Sequence, residues 1–277
     1  MSAAVVRKIL REVGPLLLVL AAAATVFEML YVFFVRQILS ETIIVREFLP
    51  RLLEHPIVSK LMASSLGAQP EIQVSATGFM TIGFSHPLLH AFTWTLLLTI
   101  GTRTLVGEID RGTADLLLAL PVSRARVYLS SSLVLLVAAL TMALAPIAGA
   151  ALGQWLIVPP EPLNLPRLWL LVANIAALNV AIGGLTLLSS SWFSRRGPAV
   201  GAVLGVLLLS VLLQVLGPFW FVAHHLRFLG ILYYYHPLPP IRSGELPAHD
   251  ILVLLCIAVI AWTAGLLRFR ARDIPAV

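Results

Sequence analysis

Two lysines and one cysteine are all that the 277 residues contain of either type. The lone Cys256 sits inside an apolar run and excludes an intrachain disulfide framework. Neither Lys8 nor Lys60 follows a glycine, and the phosphate-loop pattern G-x-x-x-x-G-K-[ST] is missing. The chain therefore offers no recognisable way to hold ATP phosphates, and no cofactor of its own is expected. Ser-x-x-Lys, G-x-S-x-G and H-E-x-x-H are absent as well, which weakens the reading as a membrane-embedded hydrolase. Charge is scarce: 12% of residues are Asp, Glu, Lys or Arg, against about 25% in soluble domains. No period of 20–50 residues recurs, so no soluble repeat array is expected. The sequence pI near 10.1 would flag nucleic acid if its bases clustered. They are spread over short loops instead, and no nucleic-acid partner is expected.

What is present is hydrophobic: 59% of the chain, with a mean hydropathy of +0.96. Six apolar runs are long enough to cross a bilayer, at about 15–34, 84–100, 129–158, 168–188, 199–216 and 251–267. The expected fold is all-α: a single polytopic membrane domain over 1–277, with six spans. The first run is too long for a signal-peptide core and lacks a small-residue cleavage site before Arg36, so it reads as a retained span. Residues 36–83 alternate charges with Ile and Leu at helical spacing, interrupted at Pro50, and read as interfacial helices. The third run carries Pro146 and is expected to be tilted or broken there.

Lysine and arginine set the orientation. Twelve of nineteen fall on the side of both termini and the 101–128 loop, and seven on the other. Both termini and that loop are therefore expected in the cytoplasm of a multi-pass protein of the inner or plasma membrane.

The loop 101–128 gathers four arginines and three acids in a chain with little charge. Glu108, Asp110 and Arg111 come first, and Gly112 and Thr113 punctuate. Thr113 is placed to cap a short helix over 114–120. Leu116, Leu117 and Leu120 form its apolar face, Asp115 suits its first turn, and Pro121 stops it. Ser123 and Arg124 lead back to the membrane. Glu108 and Arg111 stand at i, i+3 and either meet a partner's charges or pair with each other.

The string Gly107-Glu108, Arg111-Gly112-Thr113 and Leu116-Leu117-Leu118-Ala119-Leu120-Pro121-Val122-Ser123-Arg124 resembles the cytoplasmic signature of permease subunits of type-2 ABC (ATP-binding-cassette) exporters. The tail Phe269-Arg270-Ala271-Arg272-Asp273 resembles that family's closing F-x-x-R-D, and 226–235 resembles its stretch before the last span. The resemblance implies a coupling helix in the loop and alternating access driven by a separate ATPase. That partner would carry the ATP and its Mg ion. It also implies a second permease subunit, with the first and fifth spans near the dimer axis. A non-transport membrane scaffold or membrane-embedded enzyme is the alternative.

Four further features stand out. Glu28 is the one acid inside a span, and either bonds a neighbouring helix or lines the transport path. Gly197, Gly201 and Gly205 repeat at i, i+4, i+8, as do Ala145, Gly149 and Gly153. Such spacing lets helices approach closely, within one subunit or between two. His86 and His90 stand at i, i+4, but no Cys or Glu completes a ligand set, so no metal is expected. Tyr233–Tyr235 and several tryptophans sit at span ends, where an interfacial belt suffices to explain them.

Overall fold

The structure, a computed structural model, describes residues 3–41, 47–66, 75–112 and 123–272, apart from the Leu49 side chain. The described residues are helices joined by turns. In chain order these are α1 (Ala3–Ser40), α2 (Leu49–Glu54), α3 (Pro56–Leu66), α4 (Ala76–Phe84), α5 (Pro87–Arg103) and α6 (Val106–Asp110). Then follow α7 (Arg124–Ile157), α8 (Leu165–Trp192), α9 (Arg196–Leu216), α10 (Phe221–Leu226), α11 (Leu238–Ser243) and α12 (Ala248–Ala271). Two 3-10 turns, Arg227–Leu229 and Ile231–Tyr234, lie between α10 and α11.

Among the described residues, five helices are long and apolar enough to cross a membrane: α1, α7, α8, α9 and α12. The chain is thus a multi-pass, all-helical membrane protein. The run expected at 84–100 is α5, with 17 residues, or about 26 Å of rise. That is slightly short of a bilayer's hydrocarbon core of about 30 Å. The reason is local. His86 Nδ1 accepts from Leu88 N at 3.2 Å, and Pro87 occupies the first turn, so a new helix starts there. The preceding polypeptide is already helical as α4, and Ser85 and His86 form the break between the two. Elsewhere proline behaves differently from expectation. Pro146 lies inside α7, which runs unbroken from Arg124 to Ile157, and Pro50 sits at the start of α2 rather than interrupting it.

Helices α7 and α8 form the centre. Of the most apolar stretch of each helix, 72% is buried in α8 and 61% in α7, against 28%, 22% and 17% in α9, α12 and α1. Glycines mark the closest approaches. A Cβ at Gly149 would stand 2.1 Å from the Thr25 carbonyl, and one at Gly153 would stand 2.7 Å from Val32, so α1 lies directly on α7. Gly183 and Gly184 accommodate Leu135 and Trp262 in the same way, joining α8 to α7 and α12. Hydrogen bonds between helices reinforce this packing: Thr25 Oγ1 to the Ala145 carbonyl (3.1 Å), Asn179 Nδ2 to the Ala139 carbonyl (3.1 Å) and Ser190 Oγ to the Gly101 carbonyl (2.8 Å). In an apolar medium each is worth about 0.6–2 kcal/mol.

The bundle has two distinct ends. One carries residue 3 and residue 272 together with α6. The other carries α2, α3, α10, α11 and the 3-10 turns, tied by Ser64 Oγ to the Gln214 carbonyl (2.6 Å) and Arg167 Nη1 to the Ile241 carbonyl (2.7 Å).

Candidate functional site

At the end that carries both described termini, a charged network joins the helices. α6 is a single short turn of helix, and Glu108 within it is only 7% exposed. Its Oε1 accepts from Lys8 Nζ of α1 at 3.2 Å and from Arg111 Nη2 at 2.8 Å. Arg103 Nε, at the end of α5, lies 3.3 Å from Glu12 Oε2 of α1, an ion-pair distance without hydrogen-bond alignment. Asp110 Oδ2 accepts from the backbone N of Arg196, the first residue of α9, at 3.2 Å. A carboxylate there meets the unpaired N–H groups and positive dipole of a helix start. Arg196 Nε in turn donates to the buried Thr102 Oγ1 at 3.1 Å.

A second set of bonds at the same end centres on Arg272, just past α12. Its Nη1 donates to the carbonyls of Phe193 (2.8 Å) and Ser191 (3.3 Å), and its Nη2 to Ser194 Oγ (2.7 Å). Arg124, at the start of α7, donates to the Arg272 carbonyl. Burial, then repulsion from Arg268, pulls the Arg272 guanidinium below its ordinary pKa, but an arginine starts so high that it stays charged.

Of the residues singled out in the loop, Glu108, Asp110 and Arg111 take part in the first set of bonds and Arg124 in the second. Gly112 has φ +69°, a left-handed conformation that favours glycine, and it turns the chain out of α6. Thr113, Leu116, Leu117, Leu120 and Pro121, and with them the expected coupling helix, lie outside the described residues. Sequence reasoning missed Lys8, Glu12, Thr102 and Arg272 as partners. The tail motif around Arg272 was the available signal, since an arginine at a fixed place after the last span invites a role beyond topology.

Glu28 lies in α1, wholly buried, and neither carboxylate oxygen has a hydrogen-bond partner among the described residues. A Cβ at Gly83 of α4 would stand 2.9 Å from Glu28 Oε2, and one at Gly149 of α7 would stand 3.0 Å from its Cβ. The carboxyl thus occupies a slot that two glycines leave open. Tyr31 packs beside it, since the same Gly83 Cβ would stand 2.7 Å from the Tyr31 ring.

The two glycine runs differ. Gly149 and Gly153 are covered by α1, whereas Gly197, Gly201 and Gly205 have, among the described residues, no atom within 4 Å of where a Cβ would stand. His86 caps α5, and His90 packs edge-on to Tyr235 at 5.7 Å. Among the described residues, no group of three His, Cys, Asp or Glu is placed to hold a metal ion.

No curated protein matches this chain. A family model described as "Multidrug efflux system permease Rv1217c, C-terminal domain" matches residues 57–270, from α3 into α12 and not including α1. With several apolar helices around a close-packed centre and a match over most of its length, the chain belongs to this family of multidrug efflux permeases.

Proposed function

We propose that the chain is the membrane-spanning permease subunit of a type-2 ABC exporter, driven by an ATPase on another polypeptide that holds the ATP and Mg. The observation that carries this reading is the network around Glu108 and Arg272. It connects the root of the loop to α1, α5 and α9, and the start of α7 to the ends of α8 and α12. In this reading a push on the root of the loop passes to α1 and α9 through Glu108 and Asp110, and a push at Arg124 passes to the ends of α8 and α12 through Arg272. The match to efflux permeases supports a transporter, and the G-E-x-x-x-G-T and L-L-A-L-P-V-S-R strings point to the ABC class.

In this reading the second span is α5 approached through α4, which makes six spans with α1, α7, α8, α9 and α12. Both termini and the loop face the cytoplasm of the inner or plasma membrane. Two permeases meet along the open glycine face of α9, with α1 nearby, and two ATPases dock beneath them. ATP closes the ATPases, and the bundle alternates between inward and outward access.

The test uses the chain co-expressed with an ATP-binding-cassette ATPase encoded beside it. The permease should co-purify with that ATPase and change its rate of ATP hydrolysis. Glu108→Lys brings a third cation against Lys8 and Arg111. It should leave insertion and co-purification intact and abolish the change in rate. Hydrolysis altered equally by both chains would place the coupling elsewhere.

A further inference from the structure

We propose that the cleft between the N-terminal turns of α1 and α7 binds an anionic phospholipid, with its headgroup on Arg7 and Arg11 and an acyl chain along α7. The inference goes beyond the exporter reading and takes from it only the orientation, which puts the lipid in the cytoplasmic leaflet. A cavity of about 660 Å³ opens there, lined by Ala3, Val6, Arg7, Leu10 and Arg11 of α1 and by Leu133 of α7. Pockets that hold small ligands span about 300–1,000 Å³. The five α1 residues recur three and four apart and so share one face of the helix. Val5, Ile9 and Val13 form another face and are buried. Lys8 and Glu12 lie on a third, where they meet Glu108 and Arg103.

Charge and depth together select the occupant. Arg7 and Arg11 are exposed, and neither pairs with an acid among the described residues. The acids closest in the chain and the network, Glu12 and Glu108, are held by Arg103, Lys8 and Arg111. Like charges one helical turn apart repel by about 0.2–0.5 kcal/mol, and an anion between them removes that cost. The apolar run of α1 begins at Pro15. Arg11 stands about 6 Å and Arg7 about 12 Å of rise before it, and the headgroup layer outside the hydrocarbon core is about 5–8 Å thick. Arg11 is thus at phosphate level, and Arg7 reaches it by folding its long side chain back. The guanidinium fork matches phosphate oxygens two at a time. Basic pockets between membrane helices on the cytoplasmic side suit anionic headgroups for these reasons. Beneath the arginines the wall is apolar. From Leu133 it continues through the exposed Val137, Leu140 and Leu144 on the same face of α7. A soluble phosphate would use the arginines and leave that wall empty, whereas a lipid uses both.

The experiment uses the purified full chain without any ATPase, in nanodiscs of dioleoylphosphatidylcholine. The probe is a phosphatidylglycerol carrying a diazirine next to its headgroup, and its control is a phosphatidylcholine with the same diazirine. Illumination and peptide mass spectrometry should place the phosphatidylglycerol label on residues 3–11 and on Leu133, with the control labelling them far less. Unlabelled dioleoylphosphatidylglycerol should suppress the label, and glycerol phosphate, the headgroup without chains, should not. Arg7→Gln with Arg11→Gln should lower it about tenfold or more. Arg126→Gln with Arg195→Gln removes two exposed charges from the same end and should leave it unchanged. Absence of label in the cavity, as when a second copy or another segment of this chain fills it, would overturn the inference. So would equal labelling by the phosphatidylcholine control, equal suppression by glycerol phosphate, undiminished label without Arg7 and Arg11, or equal loss in the two double variants. The exporter reading would stand in every case, because it is measured on the complex with its ATPase.

Discussion

Two glycine runs with the same spacing have opposite surroundings. In α7, Gly149 and Gly153 touch the backbone or side chains of α1, so closely that a single methyl group has no room. In α9, Gly197, Gly201 and Gly205 face open space. The helices around them differ in the same way: α7 is mostly buried and α9 mostly exposed. In α7 the glycines already serve contacts within the chain. In α9 they create a close-approach surface that the described residues leave uncovered, at a cost of about 0.8–1 kcal/mol per glycine in helix propensity relative to alanine.

The comparison breaks first at Gly149. Gly149→Leu must push α1 away from α7, and the expected loss exceeds about 3 kcal/mol. Detergent-solubilised protein should run as aggregate in size-exclusion chromatography. A folded, monodisperse Gly149→Leu chain would show that the α1–α7 contact is dispensable. Gly201→Leu is the counterpart. Nothing within 4 Å resists the new side chain, so the monomer should insert and melt as before. Cross-linking between two permease copies should fall about tenfold or more, which corresponds to about 1.4 kcal/mol. Undiminished cross-linking would show that α9 does not carry the contact.

Spacing alone cannot tell these two runs apart, because it states what a helix offers and not what lies opposite. Other features divide along the same line. The long apolar runs were readable, since hydropathy over about 20 residues is a property of one segment. The break before α5 was half readable: Pro87 was visible, but α4 joining it was not. The isolation of Glu28 was not readable. Its neighbours Gly83 and Gly149 come from two distant parts of the chain, and no periodicity connects them. The charged loop is recognisable, yet nothing in its own spacing points to Lys8 and Glu12 of α1 as its partners.

The contrast between buried and open positions extends to the charged end with smaller effects. Arg272 is 6% exposed and holds three acceptors at the ends of α8 and the following turn. Arg272→Ala should cost about 1–3 kcal/mol, read as a lower melting temperature and faster hydrogen exchange around residues 189–194. An unchanged exchange rate there would remove Arg272 from the network. Lys8 is the exposed counterpart, with 44% of its side chain accessible. Lys8→Met should cost less than about 1 kcal/mol. In the unsubstituted chain, raising the salt concentration should weaken the same pair. A larger loss would mean that Lys8 supports more than the Glu108 contact.

The most direct test of the central claim is site-specific cross-linking to the neighbouring ATPase. In a Cys256→Ser chain, a cysteine at Leu117 carries a short photo-cross-linker, and a second chain carries it at Leu61 in α3, at the opposite end. The account predicts that Leu117→Cys cross-links to the ATPase in membranes and that Leu61→Cys does not. Cross-linking from position 61 alone, or from neither position in a complex that co-purifies, would contradict it.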